Sequence, residues 1–197
     1  MGSVLAIIGE YNPFHNGHLY HLNESKKKAK ADYTIAIISG NFVQRGNTSI
    51  VDKWTKTKMA LLNGVDLVVE LPCIYSISSA ENFALGAIKI LNALKIVDKV
   101  SFGCETDDIN ILQEFADILT DEPEDFKSLL SHELSKGVSF PKARENALLM
   151  YLNDIRKYAN VLSSPNNILA IEYLKALNIT ESYITPLAIK RVGPRIQ

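Results

Sequence analysis

The sequence predicts an α/β fold: a parallel sheet wound by right-handed crossovers, with flanking helices and a helical insertion toward the C-terminal side. Three observations predict it. Short strand-like runs at residues 4–8, 33–38, 67–71 and 99–103 alternate with segments of helical period. Hydrophobic residues make up 47% of the 197, enough for a packed core. From about Asp121 onward the texture changes, and helical patterns follow one another with no strand between them.

Each element has a local reason. Val4-Leu5-Ala6-Ile7-Ile8 is an uninterrupted apolar run and reads as a buried strand. A helix is expected over 19–30, its exposed end rich in lysine (Lys26, Lys27, Lys28, Lys30). Residues 33–38 are β-branched, short and closed by Ser39-Gly40. A helix over 52–63 stops at Gly64, with Asp52 as a plausible N-cap and Lys53, Lys56 and Lys58 on a solvated face. Pro72 ends a third strand over 67–71. In the helix over 80–94, Ala84, Ala87, Ile88, Leu91 and Leu94 fall on one side. A strand over 99–103 and an amphipathic helix over 109–119 follow. Helices over 126–136 and 141–158, a restart at Ser163-Ser164-Pro165 running through Lys175, and a last strand over 183–187 complete the reading.

The bulk properties exclude several classes. Net charge is -1, which argues against a surface dedicated to nucleic acid, though not against a local basic cleft. Cys73 and Cys104 form no C-x-x-C pair, so neither a zinc ribbon nor a redox motif is supported, and a reduced, cytoplasmic protein is expected. No signal peptide is visible, and no apolar run approaches the length of a membrane span.

Chemistry concentrates after the first strand, at Glu10-Tyr11-Asn12-Pro13-Phe14-His15-Asn16-Gly17-His18. A strand, a tight turn and a helix start direct free N–H groups and a positive dipole end at one spot, which suits nucleotide phosphates. Gly17 permits close approach, and His15 and His18 can both donate to phosphate oxygens. Two other readings stand beside this one: a packed and capped turn, or a metal site made from His15, His18 and His21. His21 faces away round the helix, and no acidic or cysteine partner is close in sequence.

Further candidates lie at the same predicted sheet edge. Ser39, Gly40, Asn41, Gln44 and Arg45 form a polar, glycine-hinged loop after the second strand, where Arg45 could hold a carboxylate or phosphate in bidentate fashion. Gly103 at the end of the fourth strand permits flat approach of a base or ribose. Asn166 and Asn167 cap a helix or reach a nucleoside. Lys190 and Arg191 follow the last strand, where a cation could meet a triphosphate.

The run Glu10 through His21 resembles the bacterial tRNA(Met) cytidine acetate ligases, and His15-Asn16-Gly17-His18 looks like the HIGH motif of the nucleotidylyltransferase superfamily. The blocks Ser39 through Gly46, Val51-Asp52-Lys53-Trp54, Leu61 through Leu67, Glu70-Leu71-Pro72, Asn166 through Leu169 and Ile189-Lys190-Arg191 are similar as well. The resemblance implies a Rossmann-like (HUP-type) catalytic domain over 1–197, with about 121–160 as the helical insertion. It also implies a reaction: ATP, with Mg²⁺, activates acetate as acetyl-adenylate, and the acetyl group passes to N4 of the wobble cytidine of elongator tRNA(Met). By the same resemblance Ile8, Gly9, Glu10, Tyr11, Asn12, Pro13, Phe14, His15, Asn16, Gly17, His18, Leu19, Tyr20 and His21 line the ATP site. Gly103, Asn166 and Arg191 complete it, and His15 and His18 stabilise charge at the α-phosphate. Such enzymes are about twice as long and carry a second phosphate motif and a tRNA-binding part after Lys-Arg. The expectation here is therefore the ATP-binding half. The other readings are a nucleotidylyltransferase acting on a small phosphorylated metabolite, and a nucleotide-binding module without turnover.

Overall fold

A computed structural model describes residues 2–44, 46–106, 108–154, 158 and 161–191. Five strands, β1 (Val4–Gly9), β2 (Tyr33–Ser39), β3 (Leu67–Leu71), β4 (Lys99–Cys104) and β5 (Thr185–Lys190), form one parallel sheet in the order β3-β2-β1-β4-β5. The helices are α1 (Asn16–Ala29), α2 (Lys53–Leu62), α3 (Cys73–Ser76), α4 (Ala80–Leu94), α5 (Ile109–Asp121), α6 (Glu124–Ser135), α7 (Phe140–Leu152) and α8 (Pro165–Ile179).

The strands are apolar on both faces because both faces are covered. Leu5, Ile7, Ala36 and Ile38 pack with Leu22 of α1 and Ala60 of α2. Ala6, Ile8, Ile35, Ile37, Val100 and Phe102 point the other way, into a larger core with α4, α5 and α8. α6 and α7 pack on each other and enter that core through Phe126, Ala147 and Leu148. The winding direction reverses between β1 and β4, so the carboxyl ends of these neighbouring strands open a crevice there. No helix among the described residues is long and apolar enough to cross a membrane.

Several boundaries differ from the sequence reading. α1 begins at Asn16, three residues before the expected 19, because His15 serves as its N-cap. α3 was not expected; four residues are too few to show a period. α7 ends at Leu152 and not at 158, since Asn153 takes a left-handed conformation (φ 51°) and its N–H bonds back to Met150. α8 continues past 175 to Ile179. β5 runs from Thr185 to Lys190, not over 183–187, because its register with β4 pairs Lys99 with Thr185 and Cys104 with Lys190. Lys56 is not on a solvated face. It is fully buried, and its Nζ donates to the Glu10 carbonyl at 3.0 Å.

Candidate functional site

At the switch point lies a cleft of about 510 Å³. Its floor is the end of β1, Ile7 through Tyr11. One wall is the first two turns of α1, with His15, Gly17 and His18, and also His21, which the helical spacing had turned away from them. The other wall comes from α4 and α8 through Ala80, Phe83, Leu169 and Tyr173. Gly103, Ile189, Lys190 and Arg191 close the far end, and Gln44 stands at the rim by Glu10.

The histidine turn is built by two reciprocal hydrogen bonds. The Gly17 backbone N–H donates to His15 Nδ1 at 3.0 Å, and the His15 backbone N–H donates to His18 Nδ1 at 3.3 Å. This is a capping box made of imidazoles, satisfying N–H groups that every helix start leaves free. With both Nδ1 atoms accepting, each neutral ring carries its proton on Nε2, and that N–H is the donor it offers the cleft. The two rings stack with centroids 3.7 Å apart, an arrangement that two imidazolium cations would oppose. Gly17 is required by this cap: a Cβ there would come within 2.9 Å of the His15 ring. Tyr11, in a left-handed conformation (φ 47°), packs its ring against Phe14 and His18 at 4.8 and 4.9 Å.

Burial holds the His18 imidazole down to about 3, assisted by the repulsion it would meet from His15 or His21 once protonated and from the Arg191 guanidinium. Burial, then Arg191, likewise lowers His21 to about 4, against an opposing hydrogen bond that the His21 ring donates to the Phe102 carbonyl. His21 Nε2 shares a 3.0 Å hydrogen bond with Ser101 Oγ, and the Ser25 hydroxyl donates to the His21 carbonyl at 2.6 Å. Ser25 and Ser101 also share a hydrogen bond at 2.7 Å, fastening α1 to β4. His15 and His18 therefore spend Nδ1 on backbone N–H groups, and His21 spends Nε2 on Ser101. Among the described residues no group of three or more His, Cys, Asp or Glu is placed to hold a metal ion.

Of the positions expected from sequence, Ile8 through Tyr11, His15, Gly17, His18, Tyr20, His21, Gln44, Gly103, Asn166, Lys190 and Arg191 line the cleft. Asn12, Pro13, Phe14, Asn16 and Leu19 do not, and they shape the turn instead. Asn12 Oδ1 accepts from Ser49 Oγ at 2.9 Å and Ile50 N at 2.7 Å, clipping the 46–50 loop in place. Ser39, Gly40 and Asn41 are also turned away from the cleft. Ser39 is buried, Gly40 lies against the Glu70 carboxylate, and Asn41 Oδ1 accepts the Lys53 N–H at 3.0 Å. Arg45 lies outside the described residues. Asn166 reaches the rim with Nδ2 donating to Glu105 Oε1 at 2.7 Å, while buried Asn167 accepts the Glu105 N–H at 2.9 Å. The Ser164 hydroxyl also donates to Glu105, so the start of α8 is tied to the end of β4.

Sequence reasoning missed the apolar wall. Phe83, Phe102 and Tyr173 sit at helical or strand period among core residues and carry no polar motif to mark them.

A model of the HIGH nucleotidyl transferase family matches residues 2–197. The chain belongs to that family. His15-Asn16-Gly17-His18 lies within the matched residues and forms the imidazole capping box at the start of α1. Among curated relatives, a tRNA(Met) cytidine acetate ligase of Thermoanaerobacter sp. (strain X514) is 56% identical over 190 residues, covering 96% of this chain and 47% of the relative. One of Clostridium botulinum (strain Okra / Type B1) is 51% identical over 195 residues, covering 97% and 48%. The chain thus spans about half the length of the curated relatives it matches. Thermotoga maritima TmcAL bound with alpha-thio ATP superposes with a TM-score of 0.94 at 43% identity, over 99% of this chain and 48% of that one. The apo form of the same protein gives 0.95 at 43% identity, over 98% and 46%.

Proposed function

We propose that the chain is the ATP-binding half of a tRNA(Met) cytidine acetate ligase, working in the cytoplasm. It binds ATP, activates acetate as acetyl-adenylate, and passes the acetyl group to N4 of the wobble cytidine of elongator tRNA(Met). The observation that carries the reading is the histidine turn: two neutral imidazoles, fixed through Nδ1, each offer an Nε2–H donor to one cleft at a helix N-terminus. The names of the relatives support acetate and the tRNA as the other substrates.

In adenylate formation an acetate oxygen attacks the α-phosphorus, the bond to the bridging oxygen breaks, and pyrophosphate leaves with that electron pair. Negative charge spreads over phosphoryl oxygens. Pre-aligned donors are worth most where such charge develops, so His15 and His18 act at the reacting phosphate. Lys190 and Arg191, at the end of β5, supply full positive charge for the phosphate chain. Magnesium bound with the triphosphate would supply charge neutralisation beside these cations.

The test is acetate-dependent exchange of labelled pyrophosphate into ATP, with Mg²⁺ and without tRNA. The reading predicts exchange that requires acetate. Thermal stabilisation by ATP with no exchange would reduce the chain to a nucleotide-binding module.

A further inference from the structure

The cleft has two unlike sides. The α1 side and the end of β5 offer imidazoles, Lys190 and Arg191, all suited to phosphate. The α4–α8 side is apolar and aromatic, with Phe83, Leu169 and Tyr173, and Glu10, just past β1 on the floor between the two sides, is close enough for its charge to act on Tyr173. Glu10 is the only carboxylate among the described residues lining the cleft. A negative charge beside a polyanion site weakens that site by repulsion, so Glu10 calls for a ligand group other than phosphate.

Glu10 is held from two directions. Its Oε1 accepts the Gln44 backbone N–H at 2.6 Å, and its carbonyl accepts from the buried Lys56 ammonium at 3.0 Å. Oε2 has no hydrogen-bond partner among the described residues. Its charge reaches the Tyr173 ring of α8, and Tyr173 and Phe83 line the same cleft. An anchored carboxylate oxygen beside a wall of aromatic and aliphatic side chains suits a flat ring that bears an amine donor on its edge.

Resting on the acetate-ligase reading, we propose that the α4–α8 side of the cleft seats the acceptor nucleobase, with Glu10 Oε2 accepting a hydrogen bond from its exocyclic amine. Cytosine presents an N4–H donor at that edge. Uracil presents the O4 acceptor, which a carboxylate repels. A base in this seat is out of its stack, as in other enzymes that modify bases within a polynucleotide. Glu10 is thereby a specificity-determining residue for the second substrate, apart from the phosphate site.

Ligand-observed NMR on the 197-residue chain saturated with ATP, using cytidine and uridine as probes, tests this. Cytidine is expected to bind the nucleotide-loaded protein at least about tenfold more tightly than uridine, the lower end of the discrimination a good amine contact gives. N4,N4-dimethylcytidine, which has no N–H to donate, should bind like uridine. Glu10→Gln, which keeps an acceptor for the Gln44 N–H, should bring the cytidine-to-uridine ratio near one. Equal binding of the two nucleosides, binding of neither, displacement of cytidine by ATP, or full discrimination surviving in Glu10→Gln each overturns the proposal. Failure of the acetate-ligase reading shows separately, as absent ATP stabilisation and absent pyrophosphate exchange.

Discussion

His18 divides its two nitrogens between structure and chemistry. Nδ1 closes the cap of α1, which leaves Nε2 as the ring nitrogen His18 has for a ligand in the cleft it lines. The arrangement requires a neutral ring, and burial, with the repulsion it would meet from protonated His15 or His21 and from Arg191, keeps it neutral down to about 3. His21 stays neutral down to about 4. In the unfolded chain both titrate near 6.5. Their folded values are depressed, so between roughly 6.5 and 4 the unfolded chain binds more protons than the folded one, and stability rises with pH across that window. The neutral rings therefore cost nothing above about 6.5, and stability is lost as pH falls through the window. Thermal melts of nucleotide-free protein from pH 7 to 4 should show a falling Tm. The His18→Gln, His21→Gln double variant should show a shallower fall over the same range. An unchanged slope in that variant would mean these rings are not held neutral by the fold.

At the scale of elements, Gly86 shows how packing overrides propensity. It lies in the middle of α4, where alanine would ordinarily favour the helix by about 1 kcal/mol. A Cβ there would sit 2.3 Å from Tyr75 Cγ and 2.8 Å from Tyr75 Cβ, on the short helix α3. Overpacking of this kind costs about 1–3 kcal/mol, so Gly86→Ala is expected to lower stability in urea unfolding, against the propensity. A gain in stability would show that α3 moves aside freely. Most elements were legible because their apolar periods are unambiguous: β1 and β2 are continuous apolar runs, and α4 carries its buried residues on one side. The start of α1 was not, since histidine is outside the usual N-cap set of Ser, Thr, Asp and Asn. β5 was displaced because Pro186 weakens a strand signal. That proline is tolerated because β5 is an edge strand, and its register is set by β4.

At the scale of the whole molecule, the site gathers residues from β1, α1, the 44 loop, α4, β4, α8 and β5 around one switch point. The compact segment from β1 to α1 was readable because strand, turn and helix start are contiguous. The Ser39–Asn41 stretch was misleading for the opposite reason. It follows a strand at the carboxyl edge, yet its contacts run to Glu70 and Lys53 on the β3 side, away from the cleft. Phe83 and Tyr173 escaped notice because one apolar side chain can serve core and wall together. The central claim is that this assembly forms an acyl-adenylate with the histidine turn donating to the reacting phosphate. Its most direct test compares His18→Ala with the unaltered chain in acetate-dependent pyrophosphate exchange, with ATP affinity read in parallel from thermal shift. The account predicts a rate loss of about two to three powers of ten with a much smaller loss of ATP affinity. An unchanged exchange rate, or equal losses of rate and affinity, would contradict it.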